Sequence, residues 1–257
     1  MTKLSVVGRS FWAAAVLAVI VGLCTGCADG LQKVMEANHF TPMSPPQTNW
    51  ENGSVVEIDS SYPDAPVLRA TPSMAQATIT NVSHDAPAVS TDYSEKLDLS
   101  LGISLPDGIK AQLTAQGATQ YSVVADGNTI VSVPIDSYVV DTFPKIADKY
   151  GANWTIPLAQ KDLYYFFEVW TCQKLTYKFF TSAGATAQIT VPIKIPTNVS
   201  GDWTVGSDGS LTFQGPGTIC LGYRARPIRQ ADSGEIVPQA TGKLTAAGKA
   251  ATVKLDK

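Results

Sequence analysis

Apolar and polar residues alternate most regularly between Lys96 and Ala118. Leu97, Leu99, Leu101, Ile103 and Leu105 alternate with Lys96, Asp98, Ser100, Gly102 and Ser104. Pro106-Asp107-Gly108 then reads as a turn. Beyond it, Ile109, Ala111, Leu113 and Ala115 alternate with Lys110, Gln112, Thr114 and Gln116. Period two on both sides of such a turn predicts an antiparallel hairpin with one apolar face. An amphipathic helix over 108–118 is the less natural reading.

The same logic places other elements. "TQYSVVADGNTIVSVPI" predicts two strands around a turn at Asp126-Gly127, and "DWTVGSDGSLTFQ" a hairpin around Asp208-Gly209. Short strands are expected at Val55–Ile58, Gln76–Val82 and "TAQITVPIKI". Asp162 to Phe180, dense in aromatic and β-branched residues, predicts one long bent strand or two, and Gly217 to Ile228 the last major strand. Helical spacing is rarer. Leu31, Val34 and Met35 share one helical face. Asp141 to Gly151 has Pro144 for a first turn and Gly151 for a stop. No βαβ alternation is visible. The expected fold is therefore mainly β, built of antiparallel hairpins with one or two short helices, with a β-rich α+β fold as the alternative.

The N-terminus carries a different signal. Lys3 and Arg9 precede an uncharged apolar run from Phe11 to Leu23, which is short for a membrane span. Positive leader, apolar core and small residues make a secretory signal peptide. "LCTGC" then places Cys27 after Thr25-Gly26. This segment resembles the lipobox of bacterial lipoproteins, in which a cysteine after two small residues is lipidated. It departs from that pattern at Cys24, where the family usually has Leu. The resemblance covers residues 1–28 and implies cleavage after Gly26, a lipid anchor on Cys27 and a place at the cell envelope. Ala28 follows the cysteine rather than Asp, which by the same resemblance favours the outer membrane, periplasmic side, over the inner membrane. A Cys24-x-x-Cys27 redox site is the poorer reading, because such sites begin a helix in a βαβ context. The expected organisation is 1–26 signal peptide, 27–50 lipidated N-terminus and tether with a short helix, 51–230 a single β-rich domain, and 231–257 a polar tail.

Composition narrows the function classes. The chain has net charge -3, with 19 basic and 22 acidic residues. Removing the leader takes two basic residues with it, so the remainder is more acidic and offers no basic patch for nucleic acid. Nucleotide-binding loops and a G-x-S-x-G elbow are absent. His39 and His84 lie in loop-like stretches, and no spacing joins them to cysteines as a metal site. No catalytic residue, metal or cofactor is assigned. Cys172 and Cys220 are candidates for a disulfide in an oxidising compartment, or else buried thiols. Glu168 inside "YYFFEVW" reads as a residue on the solvated face of a strand, or as a buried acid. Tyr164, Tyr165, Phe166, Phe167 and Trp170 read as core in preference to a stacking platform for glycan. Trp50, Trp154 and Trp203 show no pattern.

Two functional readings remain. One is a lipid-anchored envelope protein that binds or scaffolds an unidentified envelope protein or glycan without catalysis. The other is a subunit of an oligomeric outer-membrane pore or secretion channel, to which each chain contributes the 96–118 hairpin. Its apolar positions, Leu97, Leu99, Leu101, Ile103, Leu105, Ile109 and Leu113, would face lipid or a partner. Arms of about nine to ten residues have the length and alternation of a transmembrane β-strand. The anchor is tested first. Mass spectrometry of the mature N-terminus is expected to find a lipid-modified Cys27, whereas a chain beginning at Ala28, or an unmodified Cys27, would refute it.

Overall fold

The computed structural model describes residues 30–48, 50–63, 65–90, 95–96, 107–190, 202–238, 243–244 and 250–251. In chain order its main elements are helix α1 (Gly30–Ala37), strands β1 (Thr41–Thr48), β2 (Val55–Glu57), β3 (Val67–Ala70), β4 (Val82–Asp85), β5 (Val89–Ser90) and β6 (Glu95–Lys96), and helix α2 (Asp107–Ala115). Then come β7 (Ala118–Asp126), β8 (Thr129–Ser132), α3 (Phe143–Tyr150), α4 (Thr155–Gln160), β9 (Leu163–Thr181), β10 (Thr186–Ala187), β11 (Asp202–Val205), β12 (Leu211–Gln230) and β13 (Ile236–Pro238). A ribbon of Lys243–Leu244 with Ala250–Ala251 follows.

Strands β9 and β12, 19 and 20 residues long, pair antiparallel over Tyr164–Tyr177 and Leu211–Pro227 and form the spine. Aromatic and β-branched residues favour this extended, half-buried state. Shorter strands line each flank. Along β9 lie β2 opposite Leu163–Tyr165, β8 opposite Glu168–Thr171, and β7 opposite Lys174–Thr181. Along β12 lie β11, β1 and β13. The fold is thus mostly antiparallel β with a few helices, as the alternation predicts.

Three clusters fill the two faces. Leu163 and Tyr165 pack with Tyr138, Phe143, Ile146 and Trp154 beneath α3 and α4. Tyr164 and Phe166, pointing the other way, pack with Met43, Trp50 and Tyr223. Farther along, Trp170, Cys172, Leu175, Tyr177 and Phe179 meet Leu31 and Met35 of α1 and Ile109 and Leu113 of α2. Tyr164, Tyr165, Phe166 and Trp170 are therefore core, not a ligand platform.

Several expectations change. Residues 109–115 are not a hairpin arm but part of α2. The periodicities overlap here: Ile109 and Leu113, four apart, share a face in a helix as well as in a strand. Ala111 and Ala115 favour helix, and Gly117 (φ +67°) ends it. Leu97, Leu99, Leu101, Ile103 and Leu105 lie outside the described residues. The Asp126-Gly127 turn is not a hairpin either. Asp126 faces Lys174 and Thr129 faces Thr171, so β7 and β8 run along the same strand with no change of register. The strand expected at Gln76–Val82 instead begins at Val82. Residues 30–48 are no tether, since α1 is buried on one side and β1 pairs with β12. The polar tail likewise begins inside the sheet, with Ile236–Pro238 paired to Ile228–Gln230.

Two glycines permit close packing. At Gly222 a Cβ would lie 2.9 Å from Met35 Sδ and 3.0 Å from the Thr41 carbonyl. At Gly53 (φ +80°) a Cβ would lie 2.6 Å from Ile79 and 2.9 Å from Tyr138. Tyr138 also donates to the Gly53 carbonyl at 2.8 Å and stacks on Tyr165 at 4.6 Å. Gly53→Ala therefore adds left-handed strain and overpacking together. Denaturant unfolding is expected to show a loss of about 2–4 kcal/mol, and an unchanged midpoint would contradict this packing.

Candidate functional site

The end of the sheet where β6, β7 and β9 meet carries the candidate site. Strands β6 and β7 are antiparallel partners, with Glu95 opposite Tyr121 and Lys96 opposite Gln120. Residues 97–117 connect them. Within that connection α2 turns Ile109 and Leu113 into the core, both fully buried. Its polar side lies against the segment after β10. The Gln116 carboxamide donates to the Gln188 carbonyl and accepts from the Gln188 amide at 2.8 Å. Gln112 Oε1 accepts from the Thr190 amide at 3.2 Å.

A second polar cluster ties the N-terminus to the spine. Ser132, Glu168 and Arg224 are cross-strand neighbours on β8, β9 and β12. Arg224 pairs with Glu168, which accepts a bond from Ser132 at 3.2 Å. The same guanidinium donates to the His39 carbonyl at 3.1 Å and the Asn38 carbonyl at 2.8 Å, in the turn between α1 and β1. It lies 4.3 Å over the Phe40 ring, which meets Trp170 edge-on at 5.4 Å. Glu168 is therefore neither a freely solvated side chain nor an isolated buried acid. It is the anchor of a guanidinium that holds α1 down. The sequence reading passed over Arg224. The available signal was an arginine in the last long strand, facing the one acid of the aromatic strand.

Cys172 and Cys220 are buried free thiols. Register explains why they do not pair. Cys172 faces Ile219, and Cys220 faces Thr171, so the cysteines are one step out of line and enter different clusters on opposite faces. Cys24 and Cys27 lie outside the described residues. His39 stands in an exposed turn at φ +63°, and His84 on the exposed strand β4. Among the described residues no three His, Cys, Asp or Glu side chains are grouped to hold a metal. No helix among them is long and apolar enough to cross a membrane. Trp154 is buried core, and Trp203 packs on Phe213 at 4.8 Å.

No protein-family model matches this chain. No curated protein matches it in sequence. Among solved structures the chain is similar to a bacterial gasdermin from Bradyrhizobium tropiciagri, with a TM-score of 0.46 and 12% identity, over 82% of this chain and 90% of that one.

Burial pushes the Cys172 thiol up to about 12, and Cys220 is raised further for the same reason. The folded state thus keeps its thiols protonated where the unfolded state loses protons, and stability falls as pH rises through that window. Alkylation of both thiols at pH 8.5 is expected only after unfolding, and stability is expected to decline from about pH 9 to 12. Prompt alkylation of the folded protein would contradict the burial.

Proposed function

We propose that this chain is a lipid-anchored protein of the cell envelope, held at the periplasmic side of the outer membrane through Cys27, that delivers residues 97–117 to a bilayer as an amphipathic β-hairpin. The hairpin is one subunit's share of an oligomeric pore. The observation that supports this reading most is the β6–β7 register.

Glu95 opposite Tyr121 and Lys96 opposite Gln120 fix how the two strands would continue. Extended without slippage, the ladder sets Leu101 against Ala115, Ile103 against Leu113 and Leu105 against Ala111. Its tip falls on Gly108, at the centre of a three-residue turn Asp107-Gly108-Ile109 directly after Pro106. Every apolar residue of both arms then shares one face. Ser100, Gly102, Ser104, Gln112, Thr114 and Gln116 share the other. A one-residue slip would mix the faces. Such a hairpin fits one leaflet-to-leaflet crossing of about ten residues per arm. A lone hairpin leaves its edges without hydrogen-bond partners in lipid, so the inserted form requires neighbouring copies.

The anchor suits this role. Cys27 stands three residues before Gly30, the first residue of α1. That span reaches about 10 Å at most, so an acylated Cys27 would keep the β-domain against the bilayer. Burial of Ile109 and Leu113 favours the second reading, in which the segment stays folded and the protein is a non-catalytic binding or scaffold module.

Vesicles of phosphatidylethanolamine and phosphatidylglycerol separate the two. The full, acylated chain is expected to release entrapped dye and to give discrete conductance steps in planar bilayers. Leu101→Arg places a charge on the lipid face at a cost of about 2–4 kcal/mol. It is expected to cut leakage at least about tenfold, whereas Ser100→Arg on the polar face leaves it near wild type. A folded, acylated chain that never releases dye would leave the binding-module reading in place.

A further inference from the structure

Helix α2 does for the neighbouring segment what a β-strand does. Ala187 and Ile189 are buried, while Gln188 and Thr190 between and beyond them are exposed, so 187–190 has the alternation of a strand continuing from β10. In an antiparallel ladder every second residue exchanges backbone bonds with the partner strand. Here those alternate residues are 188 and 190, and their bonds go to glutamine side chains. Gln188 both gives and receives a bond with Gln116, and Thr190 gives one to Gln112. A carboxamide carries the same donor and acceptor as a peptide group. Gln112 on α2 and Gln116, the first residue after it and one turn on, share a side, with the Gln116 amide donating to the Gln112 carbonyl at 3.1 Å.

We infer that Gln112 and Gln116 form a latch, in which a side chain of α2 and one just after its end imitate a β-strand, cap the 187–190 edge and hold residues 107–115 as helix, so that their release controls the change to hairpin. This rests on the hairpin reading given above. In the helix the two glutamines are spent on the edge of 187–190. In the hairpin they stand on the polar face, opposite Ser104 and Ser100. The two arrangements exclude each other, because residues 107–115 cannot be helix and hairpin arm at once. Leaving the helical arrangement also strips residues 188 and 190 of their bonds, an immediate cost that opposes spontaneous conversion.

The test uses Gln112→Ala with Gln116→Ala in the full, acylated chain. Alanine is the better helix former, so any loosening of α2 comes from the lost contacts and not from propensity. Gln116→Glu, which keeps the acceptor and loses the donor, serves as a milder second variant. Hydrogen exchange is expected to quicken about tenfold or more at the amides of residues 188 and 190, the scale of one net hydrogen bond. The amides of Val123 and Trp170 are expected to keep wild-type rates, and dye release from phosphatidylethanolamine–phosphatidylglycerol vesicles to speed up several-fold. Gln116→Glu is expected to fall between wild type and the double variant. Unchanged exchange at 188 and 190 overturns the latch, whatever the vesicles do. Faster exchange together with wild-type leakage that does not rise overturns its control of insertion. Faster exchange with no leakage from any chain, wild type included, removes the hairpin reading instead and leaves Gln112 and Gln116 as docking contacts.

Discussion

The antiparallel pairing of β9 with β12 is the constraint on which the rest depends. Each flanking strand is short, and none of them has a second long partner to lean on. The long strands also set which side each residue faces. Register shifts between Gln214 and Ile219, between Cys220 and Gly222, and between Arg224 and Ala225 bend the ladder and change which residues turn inward. They explain how one strand serves a cluster beneath α3 and α4 at one end and another beneath α1 and α2 at the other. They also set Cys172 and Cys220 apart, although their strands are neighbours.

One guanidinium fastens the turn between α1 and β1 to the spine. Arg224 satisfies Glu168 beside it and two carbonyls in the turn after α1, while its flat face covers Phe40. Charge-assisted bonds to carbonyls that end a helix are favourable both electrostatically and geometrically. Met35 beneath them fits over Gly222 because no Cβ stands in the way. Force applied at residue 30 would therefore reach the centre of the sheet through α1 and this turn, with no flexible spacer between. If Cys27 bears lipid, the bilayer and the spine are close neighbours.

Much of the fold was legible because it follows from side-chain alternation and turn residues. The long aromatic strand β9 and the hairpin at Asp208-Gly209 are of this kind. The strand expected at Gly217–Ile228 is the later part of β12, which already begins at Leu211, and Pro144 and Gly151 neither start nor stop a helix, since helical turns run from Ile135 to Gln160. What was not legible depended on partners distant in sequence. Asp126-Gly127 has the residues of a hairpin turn, yet β9 passes along both sides of it and keeps β7 and β8 in line. Residues 109–115 carry a pattern that both a helix and a strand accept, and contact with the core and with residues 188 and 190 decides in favour of helix. Arg224 was missed because a charged residue inside an apolar strand gives no hint of which turn it will reach. The segment from Ile109 to Ala115 is where local pattern and observed structure differ most, as helix in place of a hairpin arm.

Spin labels at Gly102 and Thr114 report directly on whether the hairpin forms. Both positions lie on the polar face of the proposed hairpin, so labels there spare the apolar face. In the extended β6–β7 register they are opposite each other, with Cβ atoms about 5 Å apart. Strong dipolar broadening is expected to develop when the acylated chain meets phosphatidylethanolamine–phosphatidylglycerol vesicles, and to be weak without them. A spectrum that does not change on adding vesicles, while the chain is bound to them, would contradict it.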